Sequence, residues 1–131
     1  MLFDDDDLRV ARNQAEGGYH FYEWLAAVLI YHTRGLLSLV EKYQFKRHVA
    51  KQEKLDRLMP SEVIEFLRSH PEFGGVQCPD LLVYRPDFED WFFCEVKGPT
   101  DRVRDEQIEF FQALSDMSGK PVRLVKFREM A

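Results

Sequence analysis

The sequence predicts an α/β domain in which a small mixed sheet is flanked by helices. Three observations predict it. An apolar run with helical character opens at Tyr19. Two β-rich runs, Leu81–Tyr84 and Trp91–Cys94, flank a turn-like segment and read as a hairpin. A helical stretch after Gly98-Pro99 then leads into a last strand over Val122–Phe127, where apolar and basic residues alternate. The 131 residues are 45% hydrophobic and 14% aromatic, which suffices for a single domain with its own core.

Taken in order, residues 1–18 form an acidic lead-in around Asp4–Asp7, with a short helix over Leu8–Glu16 that ends at Gly17-Gly18. An acidic start is unlike a signal peptide, and the longest apolar run, Trp24–Tyr31, is too short to span a bilayer. A cytoplasmic location and no membrane partner are therefore expected. From Tyr19 to Val40 the chain reads as one helix, apolar on nearly all sides and hence buried and central, with Gly35 as a kink or break. Residues 42–70 form a basic, helical insert. Its cations Lys42, Lys46, Arg47, Lys51, Lys54 and Arg57, with Tyr43, Phe45 and His48 among them, suit a phosphate backbone. The acidic Glu41, Glu53 and Asp56 equally suit an ordinary solvated helix face. Pro60-Ser61 opens a short packing helix to Ser69, which His70-Pro71 ends. After Lys97 a turn is expected, with Thr100 or Asp101 as N-cap of a helix that runs to about Met117 and stops at Gly119.

Chemistry concentrates on the hairpin. Alternate strand residues share a face, so Glu95 and Lys97 point the same way and Val96 the other. The start of one antiparallel strand lies beside the end of the next, which brings Asp80 to the same place. Two carboxylates there suit a hard ion such as Mg²⁺ or Mn²⁺, with an ammonium to orient a water or balance charge. A salt-bridged cluster closing the hairpin fits the same residues. Glu23 is the exception in a greasy helix; buried, a carboxylate needs a partner or a metal, and exposed, it suits the helix start. Gln107 shares a helix face with Val103, Phe111 and Leu114. It therefore faces the sheet, either meeting Lys97 and the attacking water or bonding to backbone. Arg102 and Arg104, beside the site, are candidate phosphate contacts. The net charge of −5 does not suit a protein that simply coats DNA. The two cysteines, Cys78 and Cys94, lack metal-type spacing and read as reduced thiols more simply than as a cross-hairpin disulfide.

The order Pro79-Asp80, fourteen residues, Glu95-Val96-Lys97 resembles the PD-(D/E)xK nuclease signature. With PDLLVY, the continuation KGPTDR and Gln107 on the next helix, it looks specifically like the VRR-NUC branch, which includes the nuclease domain of Fanconi-associated nucleases. The resemblance covers Gly74–Phe127 and extends to the first helix; Lys42–His70 has no counterpart. It implies a single VRR-NUC-like domain with a restriction-endonuclease-like core, residues 74–127 being catalytic. It also implies a structure-selective DNA endonuclease dependent on Mg²⁺ or Mn²⁺. Glu23, Asp80, Glu95 and the Val96 carbonyl would hold the ion, Lys97 would orient or deprotonate the attacking water, and Gln107 would position it. Branched DNA, a four-way junction or a flap, is the implied substrate and a homodimer the implied assembly. A non-catalytic DNA-binding module that kept the fold is the alternative, and an RNA-cutting enzyme a third reading. The family also places a strand before Asp80, for which Gly75–Gln77 is the short candidate. One departure is Cys78, where a small residue is usual and a larger one narrows the approach to Asp80.

Overall fold

The computed structural model describes residues 21–40, 43–44 and 49–128. The acidic lead-in with its Leu8–Glu16 helix, and Lys42, Lys46 and Arg47 of the basic insert, lie outside the described residues. In chain order the elements are helix α1 (Phe21–Arg34), strand β1 (Leu37–Val40), helices α2 (Val49–Leu58) and α3 (Ser61–Arg68) and a 3₁₀ turn (Pro71–Phe73). Strands β2 (Leu81–Tyr84) and β3 (Trp91–Lys97), helix α4 (Asp105–Ser118) and strand β4 (Val122–Lys126) follow. The sheet order is β1-β2-β3-β4. The first two pairings are antiparallel and β3–β4 is parallel, as a crossover through α4 requires. The fold is thus the expected α/β architecture with a mixed sheet.

Each sheet face buries its own apolar set. On one side Leu39, Leu82, Tyr84, Trp91 and Phe93 pack against α2, α3 and α4 through Leu55, Leu67, Phe110 and Leu114. On the other, Val40, Leu81, Val83, Cys94 and Val96 pack under Ala26 and Ala27 of α1. Alternation along β2 and β3 feeds both layers, so all four residues of β2 are buried.

Three expectations are corrected. The helix does not run to Val40: Gly35 takes a left-handed conformation (φ 67°) and its N–H closes on the Tyr31 carbonyl at 2.9 Å. The chain then leaves as β1, whose Leu37–Val40 pair with Tyr84–Leu81. This is the strand that precedes Asp80; Gly75–Gln77 forms none. Nor is α1 enclosed. It lies on the sheet by one stripe, with Ala26 and Ala27 buried while Phe21, Leu29 and Tyr31 are exposed. A composition apolar all round cannot say which stripe the sheet covers. Finally, α4 starts at Asp105 rather than after Thr100. Asp101 spends its carboxylate on the Gly98 N–H (3.3 Å), stabilising the turn instead of the helix. Gly119 ends α4 in the left-handed conformation (φ 71°), as expected.

Candidate active site

The hairpin register places Leu81 opposite Cys94, and one step outward Asp80 faces Glu95. The backbone locks the two together. The Asp80 N–H donates to Glu95 Oε1 (3.2 Å), and the Val96 N–H donates to Asp80 Oδ2 (2.8 Å). Glu95 is 4% exposed, so its second oxygen needs partners inside the protein. It has two: Lys97 Nζ at 3.1 Å and Gln107 Nε2 at 3.1 Å. Gln107 is itself buried and fully wired, since its Oε1 accepts from Lys97 Nζ (3.2 Å) and from the Arg104 N–H at the start of α4 (3.0 Å). One amide thus caps the helix, holds the ammonium and touches the carboxylate.

The electrostatics follow from that packing. Burial pushes the Asp80 carboxyl up to about 8, and the charge of Glu95 adds to the push. The Val96 N–H opposes it, while the hydrogen bond to the Glu95 side chain and the charge of Glu23 raise it further. Burial and the adjacent Glu95 charge thus favour the protonated form of Asp80 when no cation is bound. A cation could take the place of that proton.

Five supports of the site come from outside the hairpin. Tyr43, fully buried, donates its hydroxyl to the Pro79 carbonyl at 2.8 Å, fixing the turn that presents Asp80. The sequence offered it only as one aromatic of the basic insert. Lys51, also buried, donates to the Val40 carbonyl at 2.8 Å and thereby ties α2 to β1. His70 sits between the Phe66 and Val76 carbonyls (3.0 and 2.8 Å) and steadies the lead-in to Asp80. Cys78 turns into the core, its Sγ donating to the Leu67 carbonyl at 3.2 Å, so it does not narrow the approach to Asp80. Gly98 is a close approach: a Cβ there would meet the Tyr22 ring at 3.0 Å. Tyr22 also packs on Phe127 (ring centroids 5.1 Å apart), which anchors the start of α1, and with it Glu23, at the Lys97 end of the sheet.

Of the residues singled out by sequence, Asp80, Glu95, Lys97 and Gln107 form one hydrogen-bonded group around the Val96 backbone. Glu23 lies near enough to act on Asp80 through its charge. Among the described residues no three His, Cys, Asp or Glu side chains gather closely enough to hold an ion by themselves. The donor set nevertheless suits Mg²⁺ or Mn²⁺, hard ions that are commonly held by one or two carboxylates with waters completing the shell. Of the basic residues, Lys51 belongs to the fold rather than to a free cationic face, Lys54 is half-buried, and Arg102 and Arg104 are exposed beside the site. Burial pushes both thiols up to about 12, and both cysteines are unpaired.

Residues 23–127 match the family model described as the VRR-NUC domain. Comparison with curated proteins and with solved structures gives no match. Among the described residues no helix is long and apolar enough to cross a membrane.

Proposed function

The chain belongs to the VRR-NUC family of nuclease-type DNA-processing domains, and from that premise we propose that it is a divalent-metal-dependent, structure-selective DNA endonuclease. The observation that carries this reading is the Asp80–Glu95 pair, locked together by the backbone in a buried site with Lys97 Nζ held 3.1 Å from Glu95. Asp80, Glu95 and the Val96 carbonyl would hold Mg²⁺ or Mn²⁺, with Glu23 beside them. When bound, the ion supplies Lewis-acid polarisation of the phosphate and lowers the pKa of a water.

The protein's own residues do the rest. Gln107 pins Lys97 through its Oε1, so the ammonium is aimed before substrate arrives. There it orients the attacking water and offsets charge developing on the phosphate oxygens. Water attacks phosphorus in line, the opposite P–O bond breaks, and one new end carries the phosphate while the other leaves as a hydroxyl. Arg102 and Arg104, exposed at the approach to α4, serve as phosphate contacts together with Lys42, Lys46, Arg47 and Lys54 of the insert.

Branched DNA is the proposed substrate, a four-way junction or a flap, cut by a homodimer whose two sites straddle the branch. The exposed Phe21, Leu29 and Tyr31 of α1 support pairing, since apolar side chains of that size favour burial. The buried, unpaired cysteines suit a reducing compartment such as the cytoplasm.

The test is a panel of end-labelled four-way junction, 5′ flap, linear duplex and RNA strands with Mg²⁺, Mn²⁺ or EDTA. Cleavage of the branched substrates that EDTA abolishes is expected. A protein that binds DNA but leaves every strand intact is a non-catalytic module instead, and cutting confined to RNA would reassign the substrate.

A further inference from the structure

Strand β4 ends beside the candidate catalytic group and brings a second ammonium to it. Parallel register pairs Lys126 with Lys97, as it pairs Leu124 with Glu95. Paired residues of neighbouring strands lean to the same side of a sheet, with the strands about 4.8 Å apart, so Lys126 stands on the face that carries Glu95 and Lys97. The ladder continues one step past it, the Phe127 N–H donating to the Lys97 carbonyl at 2.9 Å. The Lys126 side chain is exposed yet directed, because its Nζ donates to the Asp101 carbonyl in the turn that follows Lys97. That turn is closed in both senses: the Asp101 N–H donates to the Gly98 carbonyl at 3.1 Å, and the Asp101 carboxylate accepts the Gly98 N–H.

What Lys126 lacks is a counter-ion. Lys97 pairs with Glu95, Arg104 with Glu106 and Lys120 with Asp90, whereas among the described residues Lys126 forms no ion pair. Of the acids over 98–108, Asp101 gives its carboxylate to the Gly98 N–H and Glu106 pairs with Arg104. Asp105 alone then stands against the uncommitted charges of Lys126 and Arg102 among the described residues. An ammonium carries three protons, and placing one on a neutral carbonyl leaves its charge and further donors for an anion. We propose that Lys126 binds the phosphate next to the scissile one on the DNA strand being cut. The inference rests on the nuclease reading and deepens it. Consecutive phosphates of one strand set like charges side by side, and two lysines in register on one sheet face are the complement of that pattern. With Lys97 at the scissile phosphate and Lys126 at its neighbour, the strand is held in register over Glu95 before it is cut.

The test uses the full chain in EDTA with an end-labelled four-way junction, binding being read by anisotropy across a salt series. Lys126→Ala should weaken binding about 10-fold and make the plot of log affinity against log salt shallower by about 1, the loss of one phosphate contact. Lys126→Arg should restore both. Lys120→Ala, which removes a lysine at the other end of the sheet, should leave both as in wild type. Junctions that each carry one uncharged methylphosphonate then locate the contact. At one position wild type should lose about 10-fold and Lys126→Ala nothing further, and with Mn²⁺ wild type should cut the adjacent bond. A wild-type salt slope in Lys126→Ala overturns the proposal. So do methylphosphonate losses equal in the two proteins at every position, a coupled position remote from the cut bond, or an absence of DNA binding. If the coupling appears but neither Mg²⁺ nor Mn²⁺ gives cleavage, the lysine–phosphate contact stands and the nuclease reading falls. Cleavage without the coupling keeps the nuclease and removes Lys126 from it.

Discussion

The β2–β3 hairpin carries carboxylates and cations at both ends, yet the two ends behave in opposite ways. At the turn, Arg85 pairs with Asp87 at 2.6 Å and Lys120 with Asp90 at 2.7 Å, all in reach of water. There the Lys120 hydrogen bond, helped by the Trp91 N–H, lowers the Asp90 carboxyl. At the open end Asp80 also accepts a backbone N–H, but burial and a second carboxylate raise it to about 8. A backbone N–H within reach does not decide the charge state. Access to water and the neighbouring acid decide it.

The largest difference should appear in activity. Asp80→Ala and Lys97→Ala are expected to lower the cleavage rate by at least about 1,000-fold, since each removes a group proposed to act at the reacting phosphate. Asp87→Ala and Asp90→Ala, at the turn, should stay within about twofold of wild type in the same gel assay. Loss of activity in the turn variants would erase the contrast.

Stability against pH separates the two ends next. Asp80 binds its proton more tightly folded than unfolded, so in EDTA its contribution is complete below about pH 4 and is lost as pH rises to about 8. Urea melts should therefore show Asp80→Asn more stable than wild type at pH 9, by on the order of 2 kcal/mol, and the two proteins converging near pH 4. Asp90 has the reverse sign, its small contribution fading as pH falls. Excess Mn²⁺ at pH 8 should raise the wild-type melting temperature and leave Asp80→Asn nearly unmoved. Equal responses would place the ion elsewhere.

A smaller effect tests what holds the buried end in place. Tyr43→Phe keeps the ring and deletes the hydroxyl on the Pro79 carbonyl, and should cost about 1 kcal/mol in a urea melt. If the turn positions Asp80, kcat should fall about tenfold at unchanged KM. A change in KM alone would point to DNA contact instead. Smallest of all, Lys120→Ala should change stability by less than about 0.5 kcal/mol, and 0.5 M salt should remove even that.

Local patterns in the chain were enough for the hairpin, the left-handed stop at Gly119 and the convergence of Asp80, Glu95 and Lys97, because strand alternation and antiparallel register are short-range geometry. Gln107 facing the sheet was legible for the same reason, as helical period sets a residue's face. Strand β1 was not, since Leu37–Val40 continue an apolar helical run and only pairing with β2 makes them a strand. The roles of Tyr43 and Lys51 were hidden as well: an aromatic and a cation in a basic stretch look like surface until the chain folds back over them. The upward shift of the Asp80 carboxyl belongs wholly to tertiary structure. Dielectric surroundings and the distance to another acid arise when segments remote in sequence close over one another, and no local pattern encodes either.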